Sequence, residues 1–157
     1  PNVQIDGWVS NHSEILKLDS DIELSFHTMS LPSSRRIWHC PIIGLFTSDD
    51  GVIGGANYKE LALIRLDGEV WCNNSESENI SLVTENDEFE NWTIWKKRNK
   101  VGVDCKLSIS RNDDALELHV ENSGLETKNI TKLPIDVSNL YLYFTGDQCA
   151  ITNIRIV

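Results

Sequence analysis

Apolar and polar residues alternate along most of this chain, and alternation at every second position marks a strand with one buried face. Ile22, Leu24 and Phe26 alternate with Glu23, Ser25 and His27, which predicts a half-buried antiparallel strand. Residues 103–111 alternate again, with Cys105, Leu107 and Ile109 on one side. The pair Asn112-Asp113 then turns the chain into Leu116, Leu118 and Val120, opposed by Glu117, His119 and Glu121, which reads as a hairpin. Residues 41–47 are almost wholly apolar and stop at the turn signal Ser48-Asp49-Asp50-Gly51. Residues 140–145 and 150–157 supply two further strands, joined through Gly146-Asp147-Gln148.

The most informative run is residues 58–71, YKELALIRLDGEVW. Read as one strand, it places Leu61, Leu63, Arg65 and Asp67 on one face and the apolar set Ala62, Ile64 and Leu66 on the other. Tyr58 and Trp71 bracket it. A face with a cation, an anion and flanking aromatics suits a ligand platform. It equally suits a solvated strand face with an internal ion pair. The strand at 140–145 poses the same choice. Its leucines and Phe144 point one way, and Tyr141, Tyr143 and Thr145 the other, onto a face either half wet for a ligand or simply exposed.

One segment reads as helix. Residues 84–98 open on Thr84-x-x-Asp87, a capping-box-like start, and close on Lys96, Lys97 and Arg98, a charge order that suits the helix dipole. Phe89, Trp92 and Trp95 fall three apart and share a face. No helices alternate with the strands, so a parallel sheet is not expected. The pattern predicts an all-β fold, an antiparallel β-sandwich with one short helix, as a single domain over residues 1–157.

Composition narrows the function classes. A formal net charge of −10 without a basic patch argues against nucleic acid and against anionic membrane surfaces. No apolar run approaches the ~20 residues of a spanning helix, so no membrane insertion is expected. The chain starts at Pro1, as a processed protein or an excised domain would. Cys40, Cys72, Cys105 and Cys149 lack zinc-site spacing and fit either two disulfides or buried thiols. Five Asn-x-Ser/Thr sequons, at Asn11, Asn73, Asn79, Asn91 and Asn129, lean towards a secreted or cell-surface setting.

Catalytic patterns are weak. Glu88-x-Glu90 superficially resembles a glycosidase acid pair, but positions two apart on a helix do not face each other. His12, His27, His39 and His119 are dispersed, no phosphate loop or HExxH occurs, and no cofactor or metal is expected. Asp49-Asp50-Gly51 reads as a turn rather than a calcium loop. Trp8, after Asp6-Gly7, is expected to be packed, and so is Trp95. Trp38, ahead of Cys40-Pro41, fits a core position or a ligand contact, and Trp92 is equally open.

The succession Gly7-Trp8, Trp38, Tyr58…Leu63-x-Arg65-x-Asp67…Trp71, Trp92-x-x-Trp95 and Leu107-x-Ile109-x-Arg111, ending in a Tyr/Phe-Thr strand, spans nearly the whole chain. It resembles the lectin-like, concanavalin-type jelly rolls of secreted bacterial polysaccharide-degrading proteins. The resemblance implies a non-catalytic, monomeric carbohydrate-binding module, free-standing or part of a larger glycoside hydrolase. Its partner would be a polysaccharide or oligosaccharide, β-glucan-type favoured, held on a concave sheet face. Trp38, Tyr58, Trp71 and Trp92 would supply flat surfaces, with Tyr141 and Tyr143 on the neighbouring strand and Arg65 and Asp67 as hydrogen-bonding groups. The alternative is an extracellular protein-interaction or ligand-sensing domain on the same scaffold.

Overall fold

The computed structural model describes residues 2–35, 40–71, 77–134, 137 and 139–157. Their elements, in order, are β1 (Val3–Ile5), β2 (Leu16–Lys17), β3 (Ile22–Ser30), β4 (Pro41–Thr47), β5 (Lys59–Arg65), β6 (Val70–Trp71) and β7 (Glu78–Glu85). Then follow α1 (Trp92–Val101), β8 (Val103–Asn112), β9 (Ala115–Asn122), β10 (Leu125–Lys132), β11 (Leu140–Gly146) and β12 (Cys149–Ile156). The strands form a seven-stranded sheet, β1-β12-β3-β8-β9-β10-β7, and a five-stranded sheet, β2-β11-β4-β5-β6. Every pairing is antiparallel, so the chain is the β-sandwich that its alternation predicts.

Between the sheets lies one apolar core. The seven-stranded sheet contributes Leu24, Phe26, Cys105, Leu107, Ile109, Leu116, Leu118 and Val120, the same residues whose period of two marks these strands in the sequence. The five-stranded sheet answers with Ile43, Leu45, Ala62, Ile64, Leu140, Leu142 and Phe144. Phe26 and Phe144 meet with ring centroids 4.8 Å apart, and both are fully buried. The turn at Gly146-Asp147-Gln148 carries the chain from β11 in one sheet to β12 in the other.

The outer face of the five-stranded sheet is apolar too. Ile42, Phe46, Leu63, Tyr141 and Tyr143 form a second buried cluster there, packed against Ile15, Ile53, Tyr58 and Trp71. That is why residues 41–47 read as an uninterrupted apolar run: β4 is buried on both sides. The N-terminal segment is strapped along β11. Val9 N–H donates to the Gly146 carbonyl (2.8 Å), Ser13 N–H to that of Phe144 (2.9 Å) and Leu18 N–H to that of Leu140 (2.8 Å). Phe144 N–H returns a bond to Ser13 Oγ at 2.9 Å.

At the far side, β10 turns polar residues inward. Thr127, Asn129 and Thr131 are fully buried, and Thr127 Oγ1 donates to the Leu66 carbonyl at 3.1 Å. Leu45 faces Ala62 while Phe46 faces Glu60, so Leu61 is an extra, bulged residue. Its carbonyl accepts from Asn79 Nδ2 (3.1 Å), and Asn79 Oδ1 accepts from Thr131 Oγ1 (2.7 Å) and Asn129 Nδ2 (3.2 Å). The sequons at Asn79 and Asn129 therefore serve the interior, where both amide nitrogens and the Asn79 oxygen are engaged.

The helix begins later than its charge pattern predicts. Thr84 and Glu85 pair with Glu126 and Leu125 as the end of β7, and sheet pairing overrides the capping-box-like signal. The actual N-cap is Asn91, whose Oδ1 accepts from Ile94 N–H at 2.9 Å. Trp95 is buried as expected, donating from Nε1 to the Asn122 carbonyl at 2.9 Å.

Gly44 lies directly opposite Tyr143 across β4 and β11, and a Cβ there would run into the Tyr143 ring. Gly44→Ala should therefore overpack this face and cost about 1–3 kcal/mol. Urea denaturation checks this, and an unchanged midpoint would refute the tight seat assigned to Tyr143.

Candidate functional site

Residues 58–71 form a hairpin and not one strand. β5 ends at Arg65, Gly68 N–H donates to the Arg65 carbonyl (2.9 Å), and Arg65 N–H donates to that of Glu69 (2.8 Å). Gly68 takes φ = 94°, the left-handed geometry that a bulged hairpin loop needs. Asp67 thus lies in the turn, off the strand face expected for it. The dipeptide Asp67-Gly68 is the sequence signal for that hairpin.

Arg65 does point to the outer face, and its fork is engaged. Nε and Nη2 donate to Asp67 Oδ1 and Oδ2 at 2.7 and 2.6 Å, and Nη2 also donates to Glu69 Oε2 at 2.5 Å. The hydrogen bonds it donates to Asp67 hold the guanidinium even more firmly charged than usual, against the opposing effect of burial. This pair closes the hairpin. Its guanidinium carbon also stands 5.6 Å from the ring centroid of Trp71, which lies opposite Leu63 on β6. Trp71 in turn meets Trp8 edge-on, with centroids 5.5 Å apart and planes at 83°.

Trp8 is 56 % exposed, against the expectation that it packs away. It sits in the loop before the strap along β11, where Val9 is bonded to Gly146. The tight turn Gly7–Ser10, with Ser10 N–H on the Gly7 carbonyl at 3.1 Å, lifts its indole out of the sheet. A Trp directly after Asp-Gly was the available hint.

The tyrosines occupy the same face but lie under cover. Tyr143 is 3 % and Tyr141 9 % exposed. Tyr141 stacks on Phe46 (5.1 Å, 24°), and Tyr58 and Tyr143 pack on the same ring at 5.4 and 5.8 Å. His12 stands edge-on to Tyr143, and Gly51 lies close to the Tyr141 ring. Burial pushes the phenols of Tyr58 and Tyr143 upward, with Glu60 adding to it, and the two hydroxyls share a hydrogen bond. The expected open groove with a tyrosine floor is therefore filled by the protein's own residues. Apolar rings on a second sheet face needed a roof, and the segments around His12, Gly51 and Ile53 supply it.

Of the remaining residues, Trp92 lies apart from this face. It opens α1, 41 % exposed, in an edge-to-face chain with Phe89 and Trp95. Trp38 lies outside the described residues. Cys40, Cys105 and Cys149 are buried free thiols, and burial raises each, Cys149 to about 12, which leaves them unreactive. Cys72 lies outside the described residues. Among the described residues no group of three His, Cys, Asp or Glu gathers to hold a metal.

A second concavity, about 700 Å³, lies on the outer face of the seven-stranded sheet, between Glu23, Ser25, Lys106, Ser108, His119 and Glu121. Its walls mix these polar side chains with Leu24, Leu107 and Val157, and carry no aromatic apolar ring. Glu88 borders it, while the Glu90 carboxylate is ion-paired with Arg98 at 3.1 Å and is drawn to the helix.

No family model matches the chain, and no curated protein matches it. Among solved structures it is similar to the exoplasmic/lumenal domain of VIP36 in its Ca2+/Man-bound form, at 14 % identity and a TM-score of 0.29, over 93 % of this chain and 78 % of that one. A likeness that slight carries nothing further, and the sandwich rests on its own strand pairings.

The roof over Tyr141 depends on Asp50. Its carboxylate accepts from Val52 N–H (3.1 Å) and Ala56 N–H (3.3 Å), and these bonds hold its carboxyl below the ordinary value of 3.8. A carboxyl lowered in the folded state stabilises its loop above the ordinary value and releases it as pH falls through the lower one. Measured against the intrinsic rate at each pH, the protection of the Val52 and Ala56 amides from exchange should fall only below pH 3.8. Asp50→Ala should already lack that protection at pH 7, and full protection in that variant would refute the assignment.

Proposed function

We propose that this domain binds carbohydrate without cleaving it, on the aromatic lip formed by Trp8 and Trp71. The exposed indole of Trp8, braced edge-on by Trp71 at 5.5 Å, carries this reading. A sugar ring has apolar C–H faces and hydroxyl edges. It needs a flat rigid surface to cover one face and fixed polar groups to meet the edges. Trp8 supplies the surface at low conformational cost, because Trp71, itself held by the cation Arg65, braces it edge-on. The carboxylates of Asp67 and Glu69 keep lone pairs beyond those that Arg65 uses, and they stand beside Trp71 as acceptors for hydroxyls. Tyr58, Tyr141, Tyr143 and Phe46 form the packed floor that keeps the lip in place.

The ligand class is a polysaccharide or oligosaccharide, with a β-glucan as the preferred member, met outside the cell. A shallow platform of two indoles supports weak binding, roughly micromolar to millimolar. The hollow on the seven-stranded sheet lacks the flat ring that this chemistry uses.

Affinity electrophoresis through gels loaded with β-glucans, xylan and mannan tests the reading. At least one glycan should retard the wild type. Trp8→Ala should weaken that retardation about tenfold or more, roughly 1.4 kcal/mol, with the melting temperature unchanged. Trp92→Ala should retain it. No retardation on any glycan, or full retardation of Trp8→Ala, overturns the proposal.

A further inference from the structure

The two sheets have four edges, and three are very short. β1 has three residues, and β2 and β6 have two each, which is how β-proteins commonly keep edges from pairing with other chains. The fourth edge, β7, runs for eight residues. It pairs with β10 through eight consecutive partners with no bulge, contains no proline, and carries charge only at its ends, Glu78 and Glu85. Along it Ile80, Leu82 and Val83 are 58, 55 and 40 % exposed. Among the described residues none of the usual protections is present on this edge.

We propose that β7 is a homodimer seam, at which two copies pair their β7 strands antiparallel about a two-fold axis and join their seven-stranded sheets into one. The hydrogen-bond phase supports a ladder. Asn86 N–H donates to the Gly124 carbonyl at 2.8 Å, which continues the β7–β10 register and makes the even-numbered β7 residues the ones bonded to β10. The N–H and C=O groups of Asn79, Ser81, Val83 and Glu85 therefore point out of the sheet.

A two-fold pairing must set these outward groups against each other, so its axis passes through a residue and not between two. That excludes the register that would oppose Glu78 and Glu85. Centred on Ser81, the strand is self-complementary. Ile80 stands opposite the partner copy's Leu82 and Leu82 opposite its Ile80, Asn79 faces Val83, and Glu78 faces Thr84. Apolar side chains that now meet water cover one another on the outer face, and no like charges oppose. Centred on Leu82, Ile80 would face Thr84 and Asn79 would face Glu85. Centred on Ile80, Leu82 would face Glu78. The Ser81 register alone pairs apolar with apolar at both places.

The second copy also explains how charge regulates the seam. Each chain carries −10, so two copies repel over a Debye length and the dimer strengthens with salt. The dimer replaces the expectation of a monomer, and it stands independently of the carbohydrate reading, since β7 belongs to the other sheet.

Sedimentation equilibrium in 0.02 and 0.5 M salt, about a fivefold change in Debye length, tests the seam. The wild type should dimerise more tightly at the higher salt, and Leu82→Lys should weaken the dimer at least tenfold. Ser81→Pro removes an outward N–H together with a buried hydroxyl that bonds nothing among the described residues, so it should give the same result with an unchanged circular dichroism spectrum. Register is read by oxidation: a mixture of Ile80→Cys and Leu82→Cys proteins should cross-link as the mixed dimer. A wild type that is monomeric at both salts, or Leu82→Cys cross-linking to itself in preference, overturns the proposal.

Discussion

Burial of the five-stranded sheet on both faces is the constraint on which the rest of this structure depends. The inner face contributes to the core between the sheets, where Phe144 meets Phe26. The outer face carries Phe46 ringed by Tyr58, Tyr141 and Tyr143, a surface too apolar to leave in water. Short sheets that lack a helical cover must roof such a face with chain segments. Those segments have polar backbones that need their own partners. The strap from Val9 to Leu18 finds them along β11, and the loop of residues 49–57 finds them in the Asp50 carboxylate and in the bond from Asp49 N–H to the Ala56 carbonyl.

The roof decides what can be functional. Where it is complete, tyrosines that look suited to a ligand become packing. Where it ends, at the loop holding Trp8 and the β5–β6 hairpin, an indole emerges braced by another indole, which a guanidinium supports. Arg65 has a double role there. Its bidentate grip on Asp67 fixes the turn, and its charge supports Trp71. Such a pair, with side chains only 26 and 19 % exposed, is worth more as a positioning device than as a source of stability, because taking both charges out of water offsets much of their attraction.

The seven-stranded sheet follows the opposite logic. Its outer face is polar along β3, β8 and β9 and needs no roof, and apolar exposure gathers at its long edge, with Ile156 at the end of β12 besides. Glu117 with Lys128 and His119 near Glu126 lace the face with weak cross-strand pairs. At the edge, polarity gives way to Ile80 and Leu82, beside Ile130 of β10.

Period-two patterning by itself determined that this chain is an antiparallel sandwich, because alternation survives wherever one strand face meets the core and the other meets water. Strands β3, β8 and β9 and the hairpin at Asn112-Asp113 could be read for that reason. β7 and the start of α1 could not, because Thr84 and Asp87 imitate a cap and only pairing with β10 assigns residues 84 and 85 to a strand. The stretch of residues 58–71 announced Arg65 and Trp71 as neighbours on one face, which they are. Its division at Asp67-Gly68 into a hairpin, and the bulge at Leu61, arise from pairing with β4 and with β6. Only the tertiary structure decided which aromatics meet water. The sequence of a strand says which residues share a face, while the exposure of that face depends on which distant segment lies across it.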